Sequence, residues 1–329
     1  MALATITGAS GLLGSNLAVE LLKHGHRVRA TRRGTSKVSQ LEGQAIDWVT
    51  ADLSDAEALR RAFSGSDVVF HCAAQVGVEK KVTRALHVSN VVGTENVLAA
   101  VKKSGVKRLV HCSSTVAVGL SEDGQPCTES AAWNFEKYGL ADGYVTTKHQ
   151  SETLVMAAAK QGLDVVVANP GFMLGPMDVR PSSGKFVLEV AKGKTPGKSP
   201  GFNNFVDVRD VARGMTLVWQ KGRTGERYIL GGENEEYGRM MDRVAKVAGV
   251  MPPRFYMPRP LAAPLGWFGD LQELLGKNVL INSMALRHAW GTRFIFSSAK
   301  AEKELGYTHG PLEDAIRDAL AWFRGAGML

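Results

Sequence analysis

A tyrosine, a lysine and a serine in this sequence have the residue types and spacing of a proton-transfer site. Tyr144 and Lys148 are four residues apart in a segment with helical spacing, so their side chains are neighbours on a helix. A free phenol has a pKa of about 10, and a nearby ammonium stabilises the phenolate and brings the pKa of Tyr144 towards neutrality. Ser114 follows the predicted strand 108–113, where its hydroxyl can hydrogen-bond a reacting oxygen.

A glycine-rich loop near residue 8 has the pattern of a phosphate-binding turn. It follows the predicted strand 4–7 and opens a helical segment. One glycine permits the tight turn, one lets backbone N–H groups approach a pyrophosphate, and one lets the helix pack on the strand. The positive end of the helix then faces the phosphates. Because the loop lies inside a βαβ pattern, it predicts a dinucleotide site rather than an ordinary turn. The residues of this loop predicted to bind the cofactor are Gly8, Ser10, Gly11, Leu12 and Leu13.

The second predicted strand ends in basic residues, where NAD-binding proteins usually have a carboxylate. Residues 28–33 read Val-Arg-Ala-Thr-Arg-Arg. A carboxylate binds a ribose diol and repels a 2′-phosphate, whereas a guanidinium can hold that phosphate through two parallel hydrogen bonds. The sequence therefore favours NADP (NADPH), with Arg33 as the first candidate for the contact and Arg32 and Lys37 after it. The alternative is that these residues are ordinary surface cations and that NAD is also accepted.

Short β-rich segments alternate with helical patterns up to about residue 169. Most of these segments are continuous apolar runs, which indicates strands buried on both faces, as in a parallel sheet covered by helices. The predicted strands are 4–7, 28–31, 46–50, 67–71, 108–113 and 164–169, with short strands at 205–208 and 228–230 that return to the sheet. The predicted fold is α/β, a doubly wound parallel sheet (Rossmann) with a smaller, mostly helical C-terminal lobe. The NADP-binding domain comprises 1–169 and 206–232, and the substrate-binding lobe comprises 170–205 and 233–329.

Composition and charge narrow the class of protein. The chain has 329 residues, of which 44% are hydrophobic and 22% charged, values typical of a soluble globular protein of about two domains. The net charge is +8, but the basic residues are interspersed with acidic ones, so we expect no nucleic-acid partner. The three cysteines form no CxxC pair and no histidine cluster has zinc-ligand spacing, which predicts a reduced, cytoplasmic protein without a metal. No run reaches about 18 apolar residues, so no membrane partner is expected.

These features together resemble the extended short-chain dehydrogenase/reductase superfamily, within the NAD-dependent epimerase/dehydratase family, over essentially the whole chain. The dihydroflavonol 4-reductase-like branch is the most similar, particularly because of the Val-Arg-Ala-Thr-x-Arg run at 28–33. The other matching motifs are the glycine loop at 7–14, Asp52-Leu53, His71-Cys72-Ala73-Ala74, Asn90-x-x-Gly93-Thr94, Ser114 ahead of Tyr144 and Lys148, Pro170-Gly171 to Gly175-Pro176, 205–212 and 304–307.

The resemblance implies a role for each matching residue. Tyr144 would be the proton donor or acceptor, Lys148 would bind the nicotinamide ribose, and Ser114 would orient the substrate carbonyl. The remaining residues implied at the cofactor are Asp52 and Leu53 at the adenine, His71, Ala73 and Ala74 in the cleft wall, and Pro170 and Gly171 at the nicotinamide, with Asn90 as a support. Gly34 replaces the acid that follows the arginine in the plant reductases, so the details of 2′-phosphate binding stay open. A homodimer through 80–104 and 145–160 is implied by the resemblance alone.

Three functions are compatible with these residues. The first is an NADPH-dependent reductase of a ketone or aldehyde, reversibly an alcohol dehydrogenase, with a small-molecule carbonyl or alcohol as partner. The second is a nucleotide-sugar epimerase or dehydratase that holds NAD tightly, with Arg209 and Arg293 as candidate pyrophosphate ligands. The third is a non-catalytic NADP-binding regulator, which the retained tyrosine and lysine disfavour. The segments expected to set specificity are 77–86, 116–140, 173–204 and 251–296, and they carry no readable code. Within the last, Met251, Met257, Trp267 and Phe268 either line an apolar pocket or form the core of the small lobe.

Overall fold

The computed structural model describes residues 1–77, 79–275, 282–290 and 292–329. Residues 78, 276–281 and 291 belong to the segments predicted to set specificity, and they lie outside the described residues. The strands are β1 (Leu3–Thr7), β2 (Arg27–Arg32), β3 (Ile46–Thr50), β4 (Val68–His71), β5 (Arg108–Cys112), β6 (Val165–Pro170), β7 (Phe172–Leu174), β8 (Phe202–Asp207), β9 (Arg227–Leu230) and β10 (Glu233–Glu236). The helices are α1 (Leu12–Lys23), α2 (Ala56–Phe63), α3 (Arg84–Leu86), α4 (Gly93–Ser104), α5 (Gly143–Lys160), α6 (Gly184–Ala191), α7 (Val208–Lys221), α8 (Tyr237–Ala248), α9 (Arg259–Leu274), α10 (Ser283–Ala289), α11 (Ala299–Leu305) and α12 (Leu312–Gly325).

Seven parallel strands form the main sheet in the order β3-β2-β1-β4-β5-β6-β9. Helices α1 and α7 pack on one face, and α2, α4 and α5 pack on the other. The strands are apolar on both faces because both faces are covered, which is why they read as continuous runs in the sequence. The doubly wound α/β fold predicted from the sequence is confirmed.

A second, three-stranded sheet has the order β10-β8-β7. The prediction that residues 205–208 return to the main sheet is wrong, because β8 pairs in parallel with β7 and antiparallel with β10 instead. Phe205 is in register with Phe172, and their ring centroids are 5.4 Å apart. This aromatic contact belongs to a separate core, with α6, α8 and α12 around it. Strand β9, which carries the predicted segment 228–230, does join the main sheet beside β6.

The sequence left open whether four apolar residues of the small lobe line a pocket or form its core, and the structure divides them. Met257 is buried, whereas Met251, Trp267 and Phe268 are exposed. Trp267 and Phe268 lie on α9, which packs against α10. No helix in the described part of the chain is long and apolar enough to cross a membrane.

The strand order reverses direction between β1 and β4. In an open parallel sheet the ligand cleft lies at this point, beyond the carboxyl ends of the two strands. Gly8 directly follows β1 and has a φ of +80°, a conformation that side chains disfavour. A Cβ at Gly8 would lie 2.6 Å from the backbone nitrogen of Ala73, in the segment that follows β4. The two segments therefore meet at a contact that only glycine permits.

Candidate active site

The glycine loop presents an open helix N-terminus to this cleft. Gly11 precedes α1, no described side chain caps the helix, and its first turn contains no acidic residue among those described. The N–H groups of that turn can therefore bind an anion. Gly11 donates its N–H to the carbonyl of Gly8 at 3.0 Å, and a side chain at Gly14 would collide with that carbonyl. This compact turn with an open helix end fits the pyrophosphate of a dinucleotide.

Basic side chains lie at the outer end of the same cleft. Arg33 is exposed and close to Asp52, whose pKa is lowered mainly by hydrogen bonds from Ser54 and further by the Arg33 guanidinium. Arg32 instead lies over the ring of Trp48, with its guanidinium carbon 5.7 Å from the ring centroid. Gln40 ties this region to the glycine loop by donating to the carbonyl of Ser10 at 3.1 Å. Lys37, in the same segment, is exposed.

His71 occupies a buried position between β1 and α4. Its Nδ1 lies 2.8 Å from the hydroxyl of Thr7, and its Nε2 lies 3.1 Å from the hydroxyl of Thr94. Burial, and secondarily the charge of Lys148, lower its pKa to about 3. Since both ring nitrogens are engaged, the imidazole is a neutral group at this position, and its place in the wall of the cofactor cleft stays a prediction from the resemblance.

The other residues implied at the cofactor are divided between the two ends of the cleft. Ala73 and Ala74 follow β4, and the N–H of Ala73 lies 3.4 Å from the Thr7 hydroxyl. Leu53 packs against Gly93 at the start of α4. Pro170 ends β6, and a Cβ on Gly171 would lie 2.5 Å from the Oδ1 of Asn204.

Asn90 joins the segment after β4 to the helix that carries the tyrosine. Its Oδ1 accepts from the N–H of Gln75 at 2.7 Å, and its Nδ2 donates to the carbonyl of Gln75 at 2.9 Å. The same Nδ2 lies 3.1 Å from the hydroxyl of Thr147 in α5. Asn90 thereby fixes the position of α5 against the cleft.

Ser114, Tyr144 and Lys148 converge beyond the carboxyl ends of β5 and β6. The Ser114 hydroxyl lies beside the Tyr144 phenol, whose pKa it lowers. The Lys148 ammonium donates to the carbonyl of Cys112 at 2.8 Å. The neighbouring Ser113 hydroxyl is buried without a hydrogen-bond partner among the described residues, so Ser114 is the serine of the pair that faces the tyrosine.

The protein's own groups do not acidify the tyrosine in the way the sequence suggested. Burial raises the pKa of Tyr144 well above its usual range, negative charge on the Cys112 sulfur raises it further, and the Ser114 hydroxyl lowers it. Burial also lowers the pKa of Lys148. Within the chain, therefore, the serine is the group that favours the phenolate, and the lysine is held by the backbone of β5.

Two cysteine thiols border this triad. Cys72 and Cys112 follow the register partners His71 and His111 on adjacent strands, which makes their thiols neighbours. The interaction between the two thiols lowers the pKa of Cys112 and, together with burial, raises that of Cys72 well above its usual value. No group of three or more metal-ligating side chains occurs among the residues that the structure describes.

Two buried polar groups around α5 were missed from the sequence. Glu152 accepts from Asn169 at 2.6 Å and from Arg227 at 2.9 Å, which ties α5 to β6 and β9. At the start of the same helix, Asp142 accepts from the N–H of Val145 at 2.8 Å. No local sequence pattern predicts the pairing of Glu152, because its partner Arg227 is 75 residues away in the chain.

Comparisons with known proteins identify the family of the chain. The sequence profile of the NAD dependent epimerase/dehydratase family matches residues 4–231. The chain belongs to this family. A Synechocystis sp. protein, provisionally named a dihydroflavonol 4-reductase, is 34% identical over 98% of this chain and 94% of its own length. Cinnamoyl-CoA reductase 1 of Oryza sativa subsp. japonica is 33% identical over 69% of this chain and 70% of its own.

A solved structure shows the same similarity in three dimensions. The nucleoside-diphosphate-sugar epimerase of Pseudomonas aeruginosa superposes with a TM-score of 0.83 at 27% identity, over 100% of this chain and 99% of the other. The resemblance to extended short-chain dehydrogenases/reductases is therefore confirmed. The chain is an NAD(P)-dependent oxidoreductase or epimerase of that type.

Proposed function

We propose that this protein is an NADPH-dependent reductase of a ketone or aldehyde, acting reversibly as an alcohol dehydrogenase. The observation that carries the proposal is the convergence of Ser114, Tyr144 and Lys148 beyond the carboxyl end of β5, where the Ser114 hydroxyl acts on the Tyr144 phenol and the Lys148 ammonium is held by the carbonyl of Cys112. Two neighbouring hydroxyls can both hydrogen-bond one carbonyl oxygen. That arrangement suits a reaction in which an oxygen gains negative charge and then a proton.

Each residue of the triad has one task in this reaction. Ser114 donates a hydrogen bond to the substrate oxygen and stabilises the charge that develops there. Tyr144 gives its phenolic proton to the same oxygen, and its high pKa in the ligand-free protein keeps that proton in place beforehand. The nicotinamide cofactor supplies the hydride when it is bound. Lys148, which the carbonyl of Cys112 holds in place, binds the cofactor ribose.

The preference for NADP over NAD is part of this proposal. Arg33 is exposed at the outer end of the cleft, where a 2′-phosphate would lie. Arg32 stacks on Trp48 and is less free to turn towards it. Asp52 is near Arg33, and its carboxylate partly offsets the positive charge of the Arg33 guanidinium.

An epimerase or dehydratase is the second candidate, favoured by the similarity to the nucleoside-diphosphate-sugar epimerase. Such an enzyme needs cations for the substrate pyrophosphate. Arg209, one of the candidates, is bound to Asp207 at 2.6 Å and to Asp318 at 2.5 Å. Arg293, the other, lies over the ring of Phe202 with its guanidinium carbon 4.8 Å from the centroid. These engaged side chains favour the reductase.

The test is an NADPH-oxidation screen with aromatic aldehydes, cyclic and steroid ketones, flavanonols and nucleotide sugars. With an active substrate, Tyr144→Phe should lower kcat by at least about a hundredfold. Ser114→Ala should also lower it, whereas the matched variant Ser113→Ala should leave it unchanged. Near-wild-type turnover of Tyr144→Phe would refute the assignment. Release of NAD from the denatured protein, with no NADPH oxidation on any carbonyl, would favour the epimerase.

A further inference from the structure

The large apolar side chains of α9 point away from the protein. Its small residues Ala262, Gly266 and Gly269 are buried. Trp267 is 68% exposed and Phe268 is 60% exposed. A surface helix normally buries its large apolar side chains and exposes its polar ones, and here the arrangement is reversed. The other large apolar residues exposed on or next to the helix are Leu261, Leu265, Leu271, Leu274 and Leu275.

The contacts of α9 fix this orientation. A Cβ on Gly266 would lie 2.7 Å from the side chain of Leu286 and 3.1 Å from the Cα of Ser283, so only a glycine lets α9 lie this close to α10. Asp270 also faces inward, where it accepts from the N–H of Ser283 at 3.0 Å and pairs with Lys80 at 2.6 Å. Turning the helix to bury Trp267 would break these contacts and expose its small side.

Exposed basic residues adjoin the N-terminal end of α9 and form what we call its basic rim. Arg254 precedes α9 and Arg259 is its first residue, and both are exposed. Lys81 is exposed next to Lys80, whose ammonium pairs with Asp270 on the inward side of the helix. The whole chain carries a net charge of +8. A second copy of this chain would set one basic rim against another, whereas an anionic surface complements the rim.

We propose that the outer face of α9 docks on the surface of an anionic lipid bilayer. Trp and Phe side chains would enter the boundary between headgroups and acyl chains, with arginines and lysines at the phosphates. This departs from the expectation drawn from the sequence, because a helix that lies on a membrane does not need a run of about 18 apolar residues. The inward side of α9 is linked to the start of α5, because Lys80 pairs with Asp270 and the carbonyl of the preceding residue, Glu79, accepts from the N–H of Gly143 at 2.9 Å.

The experiment is co-flotation of the full chain with vesicles of phosphatidylglycerol and phosphatidylcholine in equal parts, or of phosphatidylcholine alone. The wild type should float with the anionic vesicles, and added salt should release it. The double variant Trp267→Ala/Phe268→Ala should bind about a hundredfold more weakly. The charge reversal Arg254→Glu/Arg259→Glu should weaken binding about tenfold or more. Its matched control, Lys102→Glu/Lys103→Glu at the far end of α4, should bind like the wild type.

Light scattering of the same proteins distinguishes docking on a bilayer from association with a second copy of the chain. If the wild type does not float and the Trp267→Ala/Phe268→Ala variant alone loses a dimer, the face is a dimer interface and the proposal is overturned. Equal binding by the wild type and that variant also overturns it. Unchanged circular dichroism and NADPH-oxidation rate without vesicles would show that the variant is folded, and the test does not depend on the proposed reaction.

Discussion

Replacing Asp142 with asparagine tests how the helix that carries the tyrosine responds to pH. Asp142 caps α5 by accepting from the N–H of Val145 at 2.8 Å, and asparagine can accept the same bond. Burial raises the pKa of Asp142 from about 3.8 to about 7, against the lowering effect of backbone hydrogen bonds. His288, 3.6 Å away, does not neutralise the carboxylate near pH 7, because burial lowers the pKa of this histidine to about 4.

The direction in which stability changes with pH follows from proton binding by Asp142. Between the pKa of the unfolded chain and that of the folded protein, the folded state holds a proton that the unfolded state has lost. The stability of the wild type therefore falls as the pH rises through this interval and levels off above about pH 7. One pKa unit corresponds to about 1.4 kcal/mol, so the two units from pH 5 to pH 7 amount to a loss of about 3 kcal/mol. Asp142→Asn has no such dependence.

The assay is urea unfolding of both proteins at several values between pH 5 and pH 8. Subtracting the two free energies of unfolding at each pH cancels the other titrating groups. We expect the free energy of unfolding of Asp142→Asn, relative to that of the wild type, to increase by about 3 kcal/mol from pH 5 to pH 8. Parallel curves would mean that Asp142 is already ionised in the folded protein at pH 5, and the reasoning about its burial would be refuted.

Three further outcomes follow from the site. Arg33→Ala should raise the KM for NADPH about tenfold or more, the usual effect of losing a charged hydrogen bond, and leave that for NADH unchanged; equal changes would contradict a 2′-phosphate contact. Iodoacetamide should modify Cys112 before Cys72, as peptide mass spectrometry would show, and NADPH should slow the reaction; equal rates would contradict the opposite pKa shifts of the two thiols. Arg227→Ala should cost about 3–5 kcal/mol in urea unfolding because Glu152 stays buried without its partner, and a smaller loss would show that water reaches it.

The sequence by itself determined what depends on neighbours along the chain. The strand, glycine turn and helix from Leu3 to Lys23 can be predicted because three glycines, a continuous apolar run and a helical repeat lie within about 20 residues. The spacing of Tyr144 and Lys148 similarly puts both on one side of α5. The parallel sheet follows from the alternation of apolar strands with helices.

Only the tertiary structure decided what depends on residues far apart in the chain. β8 joins the second sheet because Phe205 meets Phe172, and periodicity does not state which partner a strand takes. The ring nitrogens of His71 are engaged by Thr7 and Thr94, which come from two other elements. Helix α9 turns Trp267 outward because its small residues fit against α10. A pattern of apolar residues tells which side chains avoid water, but the surface that covers them is set by the packing of the whole chain.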